Sequence, residues 1–330
     1  MSDGLITPEA IKKTAEGFMA SKYLFTASEL GVFQQLAAGS LTTEEVAHAC
    51  GVAAAPLRVV LDGLAALNIL TCIGGRYSNS IEAQEFLSGG PDEGLRPLLT
   101  FWDQIHYPTL NSLTDAVRGL AQDAGPLDEE RQRIFSAGVD ADNSRAAAAL
   151  AATSVWKDRF RILDLGGGMG TFLRPALHRH KHLSATLYES PTVGNIAAST
   201  WAQSLLRDRL NIVHGDFMAD PIPDGHDIVL LGNVVHYFDH ERNEHLLRRI
   251  RQASPTGTRI IVVDYWTDPS HTRPVTAALL AGAFLTQLQG AIYSSDEGKS
   301  LLQSTGWRNI EMLSLTGVMS ALIAEAGEPV

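Results

Sequence analysis

The stretch Arg161-Ile162-Leu163-Asp164-Leu165-Gly166-Gly167-Gly168-Met169-Gly170-Thr171-Phe172 constrains this chain more than any other. An apolar run of strand length breaks into clustered glycines and resumes with helical character. A backbone that swings from a buried strand into a helix within so few residues needs positions without a Cβ, and Gly166, Gly168 and Gly170 supply them. The amides that follow face whatever lies against the turn. Downstream, strand-like runs over 184–189, 210–214, 226–232 and 259–265 alternate with helical runs over 173–180, 193–206 and 241–254, and 309–313 with 318–324 reads as a terminal antiparallel pair. This alternation predicts an α/β fold with a doubly wound, mostly parallel sheet and a ligand at the carboxyl ends of its strands.

The first 100 residues follow a different pattern. Apolar positions over 7–38 recur at helical intervals, with a break at Gly31; a threonine-capped helix over 41–51, a helix over 54–68 and a ribbon over 69–80 then give the order of a winged helix. DNA binding needs several cations on the groove-facing helix. The helix over 54–68 offers only Arg58, beside Asp62, among apolar residues, and the net charge of the 330-residue chain is −11, so neither nucleic acid nor an anionic membrane is an expected partner. Its surface is instead suited to burial against a second subunit. The two cysteines, Cys50 and Cys72, are too few for a disulfide framework and read as small hydrophobes. No leader pattern opens the chain and no run reaches about 18 apolar residues, which together predict a cytoplasmic protein. Helices are expected over 95–121 and 134–156, with a loop over 122–130 between them. We place an N-terminal domain at 1–100, connecting helices at 101–156 and a ligand-binding domain at 157–330.

Each strand of the last domain ends in a residue suited to a nucleoside. Glu189 closes the second strand, 23 residues beyond Gly166, where an acid accepts from ribose hydroxyls. Asp216, in Gly215-Asp216-Phe217-Met218, is placed to accept from an adenine amino group, with Phe217 or Met218 against the ring. Strand-end acids also serve as helix caps, which is the competing reading for each of them. The fourth strand delivers Gly232-Asn233-Val234-Val235-His236. Trp102, His106 and Tyr107 form a cluster of large side chains that either packs a core or walls a pocket.

Asp164-Leu165-Gly166-Gly167-Gly168-Met169-Gly170, Glu189, Gly215-Asp216-Phe217 and Asn233-Val234-Val235-His236 together resemble the successive motifs of the class I small-molecule O-methyltransferases, the group of plant phenolic, acetylserotonin and bacterial antibiotic enzymes. The resemblance spans nearly the whole chain and includes Phe135-Ser136-Ala137. It implies a Rossmann-like methyltransferase sheet, an all-α winged-helix domain used for homodimerisation, and S-adenosylmethionine (SAM) as cofactor with S-adenosylhomocysteine as product. It further implies that Gly166, Gly168 and Gly170 flank the methionine end, that Glu189 holds the ribose, that Asp216 and Phe217 hold the adenine, and that Asp164, Met218 and Asn233 belong to the same cofactor site. His236 becomes the general base and Asp264 its acidic partner. The acceptor, a small and typically aromatic secondary metabolite, falls to Trp102, His106, Tyr107, Phe284 and Tyr293.

A base at His236 makes chemical sense on its own terms. Methyl transfer from a sulfonium is an in-line displacement that needs positioning and removal of the acceptor's proton, and an imidazole does this near neutrality without a metal. No metal is expected, His178, His180 and His182 being spaced onto different faces of their helix. Two departures bear on substrate. The family follows the base with aspartate and tryptophan, where this chain has Tyr237-Phe238; a second family acid falls at Ala291-Ile292-Tyr293, where there is none. Carbon or nitrogen methylation, or non-methylating chemistry with bound SAM, thus stand beside O-methylation. A winged-helix regulator and a nicotinamide dehydrogenase are the other rivals, the latter opposed by Thr171 where a dinucleotide fingerprint has glycine.

Overall fold

The computed structural model describes residues 7–90, 93–120, 125, 127–288 and 290–328. The chain divides into two compact units, Met1–Ile105 with Ala137–Ala141, and His106–Ser136 with Asp142–Val330.

In the first unit, Thr7 caps helix α1 (Pro8–Glu29) by accepting from the Ala10 amide. Gly31, with φ of 74°, turns the chain into α2 (Val32–Gln35). After strand β1 (Leu41–Thr42), a Thr42–Glu45 capping box opens α3 (Thr43–Cys50), followed by α4 (Ala54–Ala66). Strands β2 (Leu70–Ile73) and β3 (Arg76–Asn79) complete a small antiparallel sheet in the order β1-β3-β2. Helices α5 (Ile81–Leu87) and α6 (Arg96–Phe101) follow. Leu57, Leu61 and Leu64, one face of α4, join Phe33, Leu36, Val46 and Leu70 in the core. The α4 arginine, Arg58, pairs with Asp62 at 3.4 Å. Ile11, Phe18 and Met19 on α1 and Val59 on α4 remain exposed. Contrary to the expected packing role, Cys72 is exposed on β2.

The region expected to be helical over 95–121 is helical in several pieces. A π-helical turn at Trp102–His106 follows α6, and α7 (Tyr107–Leu110) and α8 (Leu113–Val117) come after it. Pro97 and Pro108 sit in first turns, where a missing N–H costs nothing, and so favour new helix starts over continuation. Residue 121 at the end of that region and residues 122–124 and 126 of the expected loop lie outside the described residues. Asp128 caps α9 (Glu129–Ala151) five residues earlier than the sequence suggests.

The second unit is built on a seven-stranded sheet in the order β6-β5-β4-β7-β8-β10-β9. Strands β4 (Arg161–Leu165), β5 (Ser184–Glu189), β6 (Leu210–His214), β7 (Ile228–Gly232) and β8 (Arg259–Asp264) are parallel. The closing pair β9 (Trp307–Thr316) and β10 (Met319–Ala326) is antiparallel. Helices α10 (Leu173–Arg179), α11 (Pro191–Trp201) and α12 (His240–Ala253) are the crossovers between parallel strands. Helix α13 (Val275–Leu288), which carries Phe284, and α14 (Ser295–Ser304), not foreseen from sequence, fill the connection from β8 to β9. Apolar residues cover both sheet faces: Ile162, Leu187 and Ile261 lie in one cluster, Leu163, Leu231 and Val262 in the other. Sequential strands run outward in opposite directions from β4 and β7, which opens a crevice beyond their carboxyl ends.

Candidate active site

At the end of β4 the Gly166 amide bonds to the Tyr188 carbonyl at 2.9 Å, tying the turn to β5. Gly166, Gly168 and Gly170 all have φ between 58° and 71°, the region that disfavours a side chain. A Cβ on Gly168 would enter open space, so one face of the turn is free for a ligand. Trp201 of α11, overlooked in the sequence, donates from its indole to the Met169 carbonyl at 2.9 Å and pins the loop from behind.

Asp164 is fully buried under this turn, and both of its carboxylate oxygens lack a partner. Burial, helped by the nearby Glu189 carboxylate, pushes its carboxyl up to about 8. An acid whose folded-state pKa lies above its unfolded value of about 3.9 holds an extra proton in the folded state between those two values, so its contribution to stability is lost as pH rises through that window. Asp164→Asn is therefore expected to flatten the fall in ligand-free stability between pH 5 and 8, by up to about 1.4 kcal/mol per pH unit; urea titrations at four pH values measure it.

Glu189 ends β5 with one oxygen accepting from the Gly168 amide at 3.1 Å and the other from the Ser190 amide at 2.6 Å. Burial raises its pKa despite these amides. Asp216, after β6, is exposed, and its Oδ1 accepts from the Met218 amide at 2.8 Å, closing a local turn rather than capping a helix. The Phe217 ring lies over the glycine turn, 3.1 Å from where a Cβ of Gly166 would sit, and meets Phe238 edge-on. Asn233 follows β7 with φ of 58°; its amide donates to Asn143 of α9 at 2.9 Å, while its buried Oδ1 is unpartnered. Only the polar run over 140–145 before the alanines of α9 could have drawn attention to Asn143.

His236 lies in the turn after β7 and is 4% exposed; Asp264, at the end of β8, is 2% exposed. Their Nδ1 and Oδ1 are 2.7 Å apart, and the Tyr265 amide donates to the same oxygen at 2.8 Å. A carboxylate at Nδ1 fixes the neutral imidazole with Nδ1–H donating and Nε2 free to accept. Phe284 of α13 stacks on the imidazole with centroids 4.0 Å apart and planes at 3°. The Ala291 amide holds the His236 carbonyl at 3.1 Å. Nearby, the Tyr265 hydroxyl donates to Asp142 at 2.6 Å.

The remaining candidates are spread out. His106 is buried, hydrogen-bonded to Gln287 of α13, and held down to about 4 by burial, so it is neutral at physiological pH. Tyr107 opens α7, which packs on α13. The Tyr293 hydroxyl is engaged by the Phe238 carbonyl at 2.7 Å and Asn243 at 3.2 Å, on the other side of the sheet from the cluster that holds Phe284. Trp102 belongs to the first unit, where it starts the π-helical turn. Among the described residues no group of three or more histidine, cysteine or acidic side chains is placed to hold a metal, and no single helix is long and apolar enough to cross a membrane.

Comparison with known proteins agrees with this arrangement along the whole chain. An O-methyltransferase dimerisation domain matches residues 12–89 and an O-methyltransferase domain matches residues 114–308. A 3-hydroxy-5-methyl-1-naphthoate 3-O-methyltransferase of Streptomyces sahachiroi is 29% identical, covering 91% of this chain and 89% of its own. The N,N-dimethyltransferase OxyT of Streptomyces rimosus is 30% identical, with 87% of each chain covered. Among solved structures, human N-acetylserotonin methyltransferase in complex with SAM superposes with a TM-score of 0.88 at 25% identity over 99% of both chains. With its dimerisation domain, its seven-stranded Rossmann-like sheet and its catalytic domain all matched, the chain belongs to the O-methyltransferase family.

Proposed function

We propose that this enzyme transfers the methyl group of SAM to a hydroxyl of a small aromatic secondary metabolite, with His236 as general base. The observation that carries the reading is the His236–Asp264 pair, buried at the sheet edge beside the glycine turn with Nε2 left free to accept.

The residues present fit the cofactor. The free face at Gly168, the two partnerless oxygens of Asp164 and the partnerless Oδ1 of Asn233 offer space and acceptors for the aminoacyl end, which carries an ammonium group. Glu189, with one amide on each oxygen, retains lone pairs for ribose hydroxyls. Asp216, Phe217 and Met218 provide an acceptor and apolar faces for adenine. Bound there, the sulfonium supplies an electrophilic methyl group and departs as the thioether of S-adenosylhomocysteine. As the acceptor oxygen forms its bond to carbon, His236 Nε2 takes the hydroxyl proton, and Asp264 stabilises the resulting imidazolium through Nδ1–H. His106, Tyr107 and Phe284 are the wall residues we assign to the acceptor. The exposed apolar residues of α1 and α4 support a homodimer through the matched dimerisation domain.

Nitrogen methylation is the second reading, favoured by the absence of an acid at Ala291-Ile292-Tyr293 and by the name of the Streptomyces rimosus relative. Incubation with methyl-deuterated SAM and matched phenols and anilines, followed by mass spectrometry, separates the two by which member of each pair gains the label. Glu189→Ala is expected to weaken SAM binding by about 1–3 kcal/mol, roughly 5- to 150-fold in Kd; calorimetry returning the unaltered affinity removes Glu189 from the cofactor site.

A further inference from the structure

His236 is held on more sides than its bond to Asp264 accounts for. Phe284 lies parallel to the imidazole at 4.0 Å, and Tyr237 stacks on it at 4.8 Å and 24°. Two rings stacked at these distances on the same face would collide with each other, so they occupy opposite faces and the imidazole sits in a slot between them. Tyr237 stands where the family's sequence pattern has an acid, and Ile292 occupies the segment where the second family acid falls.

We infer that Phe284 and Tyr237 are positioning residues that clamp the base, so that two aromatic faces do for His236 what a second carboxylate does elsewhere in the family. The inference rests on the reading of His236 as the base. A slot of this kind acts in two ways. It blocks rotation of the imidazole about its Cβ–Cγ bond, so Nε2 points in one direction and the acceptor hydroxyl must approach along the ring edge. It also surrounds the protonated ring with π density on both faces, which favours the imidazolium formed during transfer without adding a negative charge that would repel a phenolate. The groups facing the imidazole from its neighbours are Asp264 and Tyr265 at the end of β8, Asp142 of α9 behind the Tyr265 hydroxyl, and Tyr237 itself. Helix α13, which supplies Phe284, carries no ionisable residue. Burial holds the Tyr237 hydroxyl protonated far into the alkaline range, so that face stays uncharged.

The test places 3,4,5-trifluorophenylalanine at position 284, which keeps the shape of the ring and withdraws its π density, and follows the His236 Cε1–H resonance of the ligand-free protein through a pH titration, assigned by its loss in His236→Gln. The titration midpoint is expected to fall by roughly 0.3–0.7 unit; a midpoint within about 0.1 unit of the unaltered protein overturns the clamp. Phe284→Leu is expected to lower kcat about tenfold with SAM affinity intact, and Phe284→Tyr to restore it; an unaltered kcat in Phe284→Leu also counts against the clamp. If the midpoint falls while the acidic limb of the kcat/KM profile stays in place, the clamp stands and the assignment of His236 as base fails.

Discussion

His236→Ala is expected to cut turnover by roughly a hundredfold or more while leaving SAM affinity within about twofold of the unaltered protein. The side chain it removes bonds to Asp264 and stacks on Phe284 and Tyr237, and none of its described contacts is with the glycine turn, Glu189 or Asp216. Binding and turnover should therefore separate cleanly. Single-turnover rates with SAM saturating, set beside calorimetric Kd values for the same protein, measure both quantities. Retention of full turnover would mean that the acceptor loses its proton to water and that transfer runs on proximity alone.

Asp264→Asn is the second change with a large expected effect, a loss of roughly a hundred- to ten-thousandfold in kcat. The carboxylate Oδ1 accepts both from His236 Nδ1 and from the Tyr265 amide. An asparagine whose Oδ1 takes the same place keeps both bonds but loses the negative charge that stabilises the imidazolium; one that turns the NH2 group toward His236 forces the proton to Nε2, the atom that must be free to accept. Either way the base is weakened, through the lost charge or through the wrong tautomer. The fold should survive, because the Asp264 side chain is a single isosteric replacement at a strand end, and the thermal midpoint reports that separately. Asp264→Glu, which restores the acid the family carries, is expected to recover part of the rate.

Much of the architecture could be read from the chain because its signals are local. The glycine cluster at 166–170, the alternating apolar runs and the threonine caps near Thr7 and Thr42 each determine their own element, and β4 to β8 fall within two residues of the expected limits. Elements whose limits depend on tertiary packing were less visible. Helix α13 is apolar almost throughout, so it has no clear periodic stripe, and the π-helical turn ahead of Pro108 lies within a segment that reads as evenly helical. The candidate site divides in the same way. Glu189, Asp216, Asn233 and His236 stand at strand ends, and the topology alone delivers them to one edge. Trp201, Asn143 and the Tyr265–Asp142 pair reach that edge through side chains from elements far away in sequence, which no spacing announces. Tyr293 illustrates the limit from the other side: the family resemblance implies a place in the acceptor pocket, yet its hydroxyl is taken up by Phe238 and Asn243.

Calorimetric titration of the purified protein with SAM, repeated with S-adenosylhomocysteine, tests the central claim most directly. Saturable binding of both, with micromolar Kd values and one site per chain, is the expected result. Absence of binding to either would contradict the reading of the glycine turn and its flanking acids as a SAM site, and with it the proposed methyl transfer.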